Sequence, residues 1–273
     1  LADAFIAAEK ALYAQAGTEP GQLNAMRVIE IRKESEDIKA FVLETTDGKE
    51  PPAFRPGQYL SVSVTFEDGS TQLRQYSLSD SPNPHSLRIS VKRERPDGEQ
   101  PDGRVSNWLH EHVQVGSIIK VSHPFGDFTA DTEGEEPIVL LSAGVGITPM
   151  ISKLNLIART NPRRHVTFAH AARGRRHLAH RADIAAAKAA MPNLVVATFL
   201  ETATSEDTSE ELTHAGMMDI AKVPAWPYDD ADVYLCGPVG FMQQQWRSLT
   251  AAGVPEKRLH REVFGPELLN YAG

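Results

Sequence analysis

Four short runs in this chain combine residue types that can do chemistry together. The first is Ala143-Gly144-Val145-Gly146-Ile147-Thr148-Pro149, which follows an apolar run and opens a helical pattern. Glycines at such a turn let the backbone approach a pyrophosphate, and the free N–H groups of a helix start favour an anion. Thr148 is expected to cap that helix and Pro149 to sit in its first turn. The spacing is G-x-G-x-x-P rather than G-x-G-x-x-G, so a plain strand-to-helix turn is the alternative. The second run, Cys236-Gly237-Pro238-Val239-Gly240-Phe241-Met242, makes another turn into a helix. Cys236 there could lie near a bound nicotinamide or simply fill a strand end. In the third, Arg74-Gln75-Tyr76-Ser77-Leu78, alternation puts Arg74 and Tyr76 on one face and Gln75 and Ser77 on the other. An aromatic ring, a hydroxyl and a guanidinium suit an isoalloxazine ring and a phosphate; a surface strand with a routine Arg–Tyr pair is the plainer alternative. The fourth, Gly103-Arg104-Val105-Ser106-Asn107-Trp108-Leu109, opens a helix and offers either a second anion site or ordinary capping.

The elements that must position these runs follow from periodicity. Period-two alternation predicts strands at Met26–Ile31, Ile38–Leu43, Leu60–Val64, Leu73–Leu78, Leu87–Val91 and Ser117–Val121, separated by turn signals such as Asp47-Gly48 and Asp68-Gly69. Six short strands with one helix, Arg104–His112, predict a small antiparallel barrel. After the acidic break Asp131–Glu136 the pattern changes. Ile138–Leu141 reads as a strand buried on both faces. Strands at His165–Ala169, Leu194–Leu200 and Val233–Cys236 alternate with helices at Pro149–Ala158, Arg181–Ala190 and Val239–Ala251. That alternation predicts a doubly wound parallel sheet, with ligands beyond the carboxyl ends of its strands. The polar stretch Thr202–Glu211 reads as a mobile loop. Leu1–Gln15 reads as an amphipathic helix whose apolar face needs a cover, and Thr18–Asn24 as a linker.

Composition narrows the class. At 273 residues, two domains are expected, and 41% hydrophobic with 23% charged residues is ordinary for a globular protein. Lys and Arg number 28 against 36 Asp and Glu, so a net charge of −8 argues against generic binding to nucleic acid or anionic membrane. No apolar stretch approaches the roughly 20 residues of a membrane span. A single cysteine, Cys236, excludes an internal disulfide and a cysteine-rich metal site, and points to a reducing, cytoplasmic compartment. His170, His177 and His180 are expected to be solvated polar residues rather than metal ligands, so no metal site is expected.

The order RQYS, GRVS, AGVGITPM, CGPVGFM and a C-terminal VFGP, with Arg55-Pro56-Gly57-Gln58-Tyr59-Leu60, resembles the ferredoxin–NADP reductase-like superfamily. Within it the chain is most similar to the reductase portion of flavohaemoglobins. The resemblance runs from Ala25 to Pro266, and Leu1–Gln15 resembles the last globin helix of those proteins. It implies a globin-end helix over 1–17, a linker over 18–24, an FAD-binding barrel over 25–132 and an NAD(P)-binding α/β domain over 133–273. Tyr59 and Tyr76 would flank the flavin, Ser77 would hydrogen-bond near N5, and Gln75 would share that strand contact. Arg74 and the helix start Gly103, Arg104, Val105, Ser106 would hold the FAD pyrophosphate, with Val91 and Lys92 along the ribityl and adenosine side. Val263, Phe264, Gly265 and Pro266 would cover the other flavin face, and Glu262 would act electrostatically on the ring. Gly144, Val145, Gly146, Ile147, Thr148 and Pro149 would bind the nicotinamide nucleotide's pyrophosphate, and Cys236, Gly237 and Pro238 would approach its nicotinamide ribose. The loop Glu94–Asp102 looks longer than is usual in the family.

The resemblance implies an FAD-dependent NAD(P)H reductase passing electrons to a haem globin in the same polypeptide, where family members oxidise nitric oxide to nitrate. The absence of an initiating Met is expected if a globin precedes this chain; haem would belong to that part alone. A stand-alone electron-transfer component for a separate oxygenase or haem protein is the second reading, and a regulatory nucleotide-binding module without turnover the third. Arg173, Arg175 and Arg176 follow the second strand of the α/β domain, where a 2′-phosphate could bind. The stretch His170-Ala171-Ala172-Arg173 instead resembles NADH-using relatives, so NADH is the expected donor, with NADPH possible.

Overall fold

The computed structural model describes residues 22–95, 103–224 and 230–264. The expected N-terminal helix, most of the linker, residues 96–102 of the long loop, and Gly265 and Pro266 lie outside them.

Strands β1 (Asn24–Lys33), β2 (Ile38–Thr45), β3 (Tyr59–Thr65), β4 (Thr71–Ser77), β5 (Leu87–Lys92) and β6 (Ile118–Val121) form one antiparallel sheet in the order β4-β3-β6-β1-β2-β5. A bridge from Leu78 to Ile89 joins its two edges, so the sheet closes into a barrel. Alternating residues fill it, including Val28, Phe41, Leu43, Leu60, Val62 and Ile89. Helix α1 (Arg104–His112) plugs one end with Val105 and Leu109.

The second sheet is wholly parallel, in the order β10-β9-β8-β7-β11-β12. Its strands are β7 (Ile138–Ala143), β8 (Val166–Ala172), β9 (Leu194–Leu200), β10 (Thr213–Ala215), β11 (Asp232–Cys236) and β12 (Leu259–Glu262), with helices α2 (Ile147–Thr160), α3 (Arg181–Ala190) and α4 (Val239–Ala251). All six residues of β7 are buried, as its apolar run requires. The chain winds outward from β7 to β10 and then returns to β11 on the other side of β7. The switch point of the sheet therefore lies between β7 and β11, where a crevice opens beyond the strand ends. Ile38 and Phe128 from the barrel side join the core under α2, so the two sheets share apolar packing. Among the described residues no helix is long and apolar enough to cross a membrane.

The structure departs from the sequence expectations in places. β10 and β12 carry almost no buried apolar side chains, so edge strands this short leave no periodic signal. β8 continues to Ala172, which places His170 inside a strand. His170 and His180 are buried, at 2% and 0% exposure, rather than solvated. Thr204–Ser209 is organised around buried Asp207, which accepts hydrogen bonds from the Thr204 amide and hydroxyl at 2.8 and 2.9 Å. Thr148 does not cap α2: it lies within the helix, and its hydroxyl donates to the Val145 carbonyl at 3.0 Å.

Candidate active site: a barrel groove and a strand-end crevice

The edge strand β4 presents Arg74, Gln75, Tyr76 and Ser77 to a mainly apolar groove of about 190 Å³. Lys92, Gly103, Val105, Ser106, Val145, Thr148 and Phe264 line its other walls. The Tyr76 ring packs on the barrel core, and burial pushes its phenol upward, so it stays protonated. Gly103 belongs at the start of α1 because a Cβ there would lie 2.7 Å from the Ser106 hydroxyl oxygen. That hydroxyl is already committed: it donates to the Gly103 carbonyl and accepts from the Glu94 amide at 3.1 Å.

On the other side of β4 a larger cavity, about 820 Å³, is lined by Tyr59, Asp127, Phe128, Glu262 and Val263. Arg74, Gln75, Ser77 and Phe264 border both spaces. Ser77 is 4% exposed, and its hydroxyl donates to Glu262 Oε2 at 3.5 Å. Register puts Glu262 beside Cys236 at the ends of β12 and β11. Burial pushes the Glu262 carboxyl up to about 7, opposed by the Lys153 charge and the Ser77 hydrogen bond. Burial also raises the Cys236 thiol, so it stays neutral and is no nucleophile.

Lys153 is a residue that sequence patterning does not single out. It sits on the buried face of α2, where an apolar side chain would be the rule. Its ammonium donates to the Phe128 carbonyl at 2.8 Å and lies 4.0 Å from the Phe128 ring centre. Gly57 makes room for it: a Cβ there would come within 2.5 Å of Lys153 Nζ and 1.9 Å of the Phe128 oxygen. Burial lowers this lysine to about 7, with the Glu262 carboxylate pulling the other way.

The crevice beyond β7, β8, β9 and β11 has a volume of about 370 Å³. Gly144, Ala171, Arg173, Glu201, Met217 and Pro238 line it from the parallel sheet, and Asp37 and Lys92 from the barrel. The two glycines of the first turn differ in purpose. Gly144 has φ +55 and nothing within 4 Å of where a Cβ would stand, so its backbone faces open space. Gly146 is buried, and a Cβ there would meet the Cys236 carbonyl oxygen at 2.2 Å. Its glycine serves packing against β11. Gly237 is likewise closed in, by Phe241 and Ala143.

Some expected ligand residues are therefore not on a cavity wall. Val91 is a barrel-core residue at 0% exposure, so its side chain does not run along the groove. Arg104 turns away from the groove, donating to Asp68 at 2.6 Å and to the Ser70 hydroxyl at 3.0 Å while stacking on Phe66. Gly146, Ile147, Pro149, Cys236 and Gly237 are buried behind the turns. Tyr59 meets Phe125 edge-on at 4.6 Å and borders only the larger cavity. The residues that sequence reading does not anticipate, Asp37, Glu201, Met217 and Lys153, reach the site through tertiary folding and carry no local motif.

The FAD-binding domain model of oxidoreductases matches residues 25–130, and the oxidoreductase NAD-binding domain model matches residues 140–246. The chain is thus an FAD- and NAD-binding oxidoreductase with the ferredoxin reductase-like fold. It is 44% identical over 271 residues to the flavohemoprotein of Chromobacterium violaceum, covering 97% of this chain and 67% of the relative. The flavohemoprotein of Rhizobium meliloti is 42% identical over 274 residues, at 98% and 68% coverage. Among solved structures, the FAD/NAD-binding domain of nitric oxide dioxygenase from Vibrio cholerae superposes with a TM-score of 0.81 at 37% identity, over 89% of this chain and 99% of that one. The flavohemoglobin of Malassezia yamatoensis, with bound FAD and heme, follows at TM-score 0.74 and 25% identity, over 97% of this chain and 65% of that one. The chain belongs to the flavohaemoprotein family and corresponds to its reductase portion. It spans about two thirds of the length of the curated relatives.

Proposed function

We propose that this chain takes a hydride from NADH onto FAD and passes electrons singly to a haem in a globin portion of the same polypeptide, serving conversion of nitric oxide to nitrate. The observation that carries this reading is the turn after β7. Its Gly144 lines the strand-end crevice while Val145 and Thr148 line the barrel groove. A nucleotide in the crevice and a flat ring in the groove would therefore meet across one turn.

The lining of the groove suits a flavin: it is mostly apolar, includes Tyr76, and reaches the start of α1 at Gly103. Bound FAD supplies the conversion of a two-electron donor to one-electron transfers. The protein's part is positioning and charge. The Ser77 hydroxyl, which donates to Glu262 in this structure, would turn to donate to the ring nitrogen that receives hydride, with Glu262 as its alternative acceptor. Phe264 would close the remaining edge of the groove, while Tyr59 faces the larger cavity beyond β4. Arg74 and the backbone N–H groups of Arg104, Val105 and Ser106 would hold the pyrophosphate, the Gly103 N–H being taken by the Glu94 carbonyl at 3.1 Å. Gly144 and Pro238 would hold the nicotinamide nucleotide, while Cys236, buried behind the turn, does not reach the crevice. We assign residues 25–132 to the flavin part and 133–273 to the nucleotide part, in a cytoplasmic protein.

Anaerobic addition of one equivalent of NADH to the FAD-loaded chain tests this. The visible flavin band should bleach. A band that persists with both NADH and NADPH would overturn the proposal. Acid precipitation should release the flavin as FAD; release of FMN would undo the adenosine-side assignments.

A further inference from the structure

The loop after β8 carries Arg173, Arg175 and Arg176, and of these Arg173 lines the crevice. Each is already engaged. Arg173 donates to Asp37 Oδ2 at 2.8 Å, and Asp37 is held in place by the Ser35 hydroxyl on its other oxygen at 2.9 Å. Arg176 Nε lies 3.4 Å from Glu36, whose amide donates to the Arg176 carbonyl at 2.9 Å. Arg175 reaches Asp207 at 3.3 Å and also pairs with Glu210. The His180 amide, at the end of the loop, donates to Glu34 at 3.2 Å. Glu34, Glu36 and Asp37 all belong to the one turn between β1 and β2, on the barrel. Three guanidiniums thus pair with four carboxylates, and Glu201 adds another acidic wall to the crevice. The nearby barrel cations are paired too, Lys92 with Glu94 and Arg93 with Glu111, while Arg95 borders the neighbouring cleft and not the crevice.

We infer that this acidic turn of the flavin-side barrel is a specificity element, which selects nucleotides with a free 2′-hydroxyl and rejects a 2′-phosphate. The inference rests on the proposed nucleotide site and deepens it. A 2′-phosphate brings close to two negative charges at neutral pH. It needs free guanidiniums, ideally two-pronged. Here it would have to pull Arg173 from Asp37 and sit against carboxylates left uncompensated. A 2′-hydroxyl carries no such cost and can donate to Asp37 or Glu201. The selecting charges lie on the other half of the molecule from the strand that carries the arginines, so the nucleotide part alone would read as tolerant of NADPH.

The test is calorimetric binding of adenosine 2′,5′-bisphosphate and of 5′-AMP to the FAD-loaded chain, in wild type, D37N, E36Q and the double variant. The ratio of bisphosphate to monophosphate affinity should rise about tenfold in the double variant, roughly 1.4 kcal/mol. It should rise by less in each single variant, and fall again when R173A is added. E44Q, which removes a carboxylate paired with Arg27 on the outer barrel, should move the ratio less than twofold. The inference is overturned if the ratio stays flat in all variants, or if E44Q raises it as much as D37N does. If wild type binds neither fragment and neither NADH nor NADPH bleaches the flavin, the proposed function falls and this inference with it. A flat ratio in a chain that NADH does bleach removes the inference alone.

Discussion

The groove and the crevice are built on opposite plans. The groove is made by one contiguous run on an edge strand, Arg74–Ser77, closed by a helix start and backed by a buried pair of titratable groups, Lys153 and Glu262. The crevice is assembled from the ends of four parallel strands, rimmed by ion pairs that reach it from the barrel. The first plan concentrates chemistry in a few low-dielectric contacts, where one lost hydroxyl matters. The second spreads recognition over backbone and charge, where the shape of a turn matters most. Substitutions should therefore act differently in the two regions.

The largest effect is expected within one turn of the crevice. Gly146→Ala puts a Cβ against the Cys236 carbonyl, and overpacking at so rigid a strand end should cost roughly 3 kcal/mol. Gly144→Ala meets no atoms and pays only for its positive φ, about 1 kcal/mol. Thermal unfolding should show a large loss of Tm for the first and a small one for the second, whereas nucleotide affinity should suffer in the second. Equal Tm losses would erase the distinction between a packing glycine and a ligand glycine.

In the groove, Ser77→Ala should leave FAD bound and slow flavin reduction about tenfold to hundredfold, from roughly 1–3 kcal/mol of lost hydrogen bonding. Stopped-flow reduction at an unchanged rate would remove Ser77 from the reacting centre.

Lys153→Met sharpens the contrast through pH. Burial lowers this lysine from 10.5 to about 7, so folding must disfavour its ammonium. That cost is complete below pH 7 and vanishes as pH rises through 10.5. The substitution loses a hydrogen bond to Phe128 worth about 1 kcal/mol at every pH. Its Tm relative to wild type should therefore be more favourable at pH 6 than at pH 10. A difference that runs the other way would show that the ammonium is stabilised where it sits.

The smallest effect is expected from Arg104→Ala. Its pair with Asp68 is solvent-exposed and adds little, and it does not line the groove. FAD affinity by equilibrium dialysis should change less than threefold; a larger loss would restore Arg104 as a phosphate ligand.

How much of this was legible in sequence depends on the residue. The barrel strands and β7 announce themselves because burial imposes a period on their side chains. Arg74–Ser77 and Gly144–Thr148 are readable because their chemistry is local to one strand or one turn. β12 is invisible because its His260-Arg261-Glu262 tail gains its strand form from pairing with β11, not from apolar alternation. Arg104 misleads because a helix start predicts an anion, whereas the neighbouring turn supplies Asp68 instead. Asp37, Lys153 and the burial of His170 are unreadable in one dimension. Each depends on what another element brings to it: Arg173 to Asp37, Gly57 and Phe128 to Lys153, and Ser142 to His170 at 2.9 Å.

The central claim is that hydride passes across the turn Gly144–Thr148, from crevice to groove. Single-turnover bleaching of the FAD-loaded chain by NADH carrying deuterium on one or the other face of nicotinamide C4 tests it directly. The geometry predicts that deuterium on one face slows bleaching several-fold while the other face leaves the rate unchanged. Equal rates for both labelled forms, or no bleaching, would contradict it.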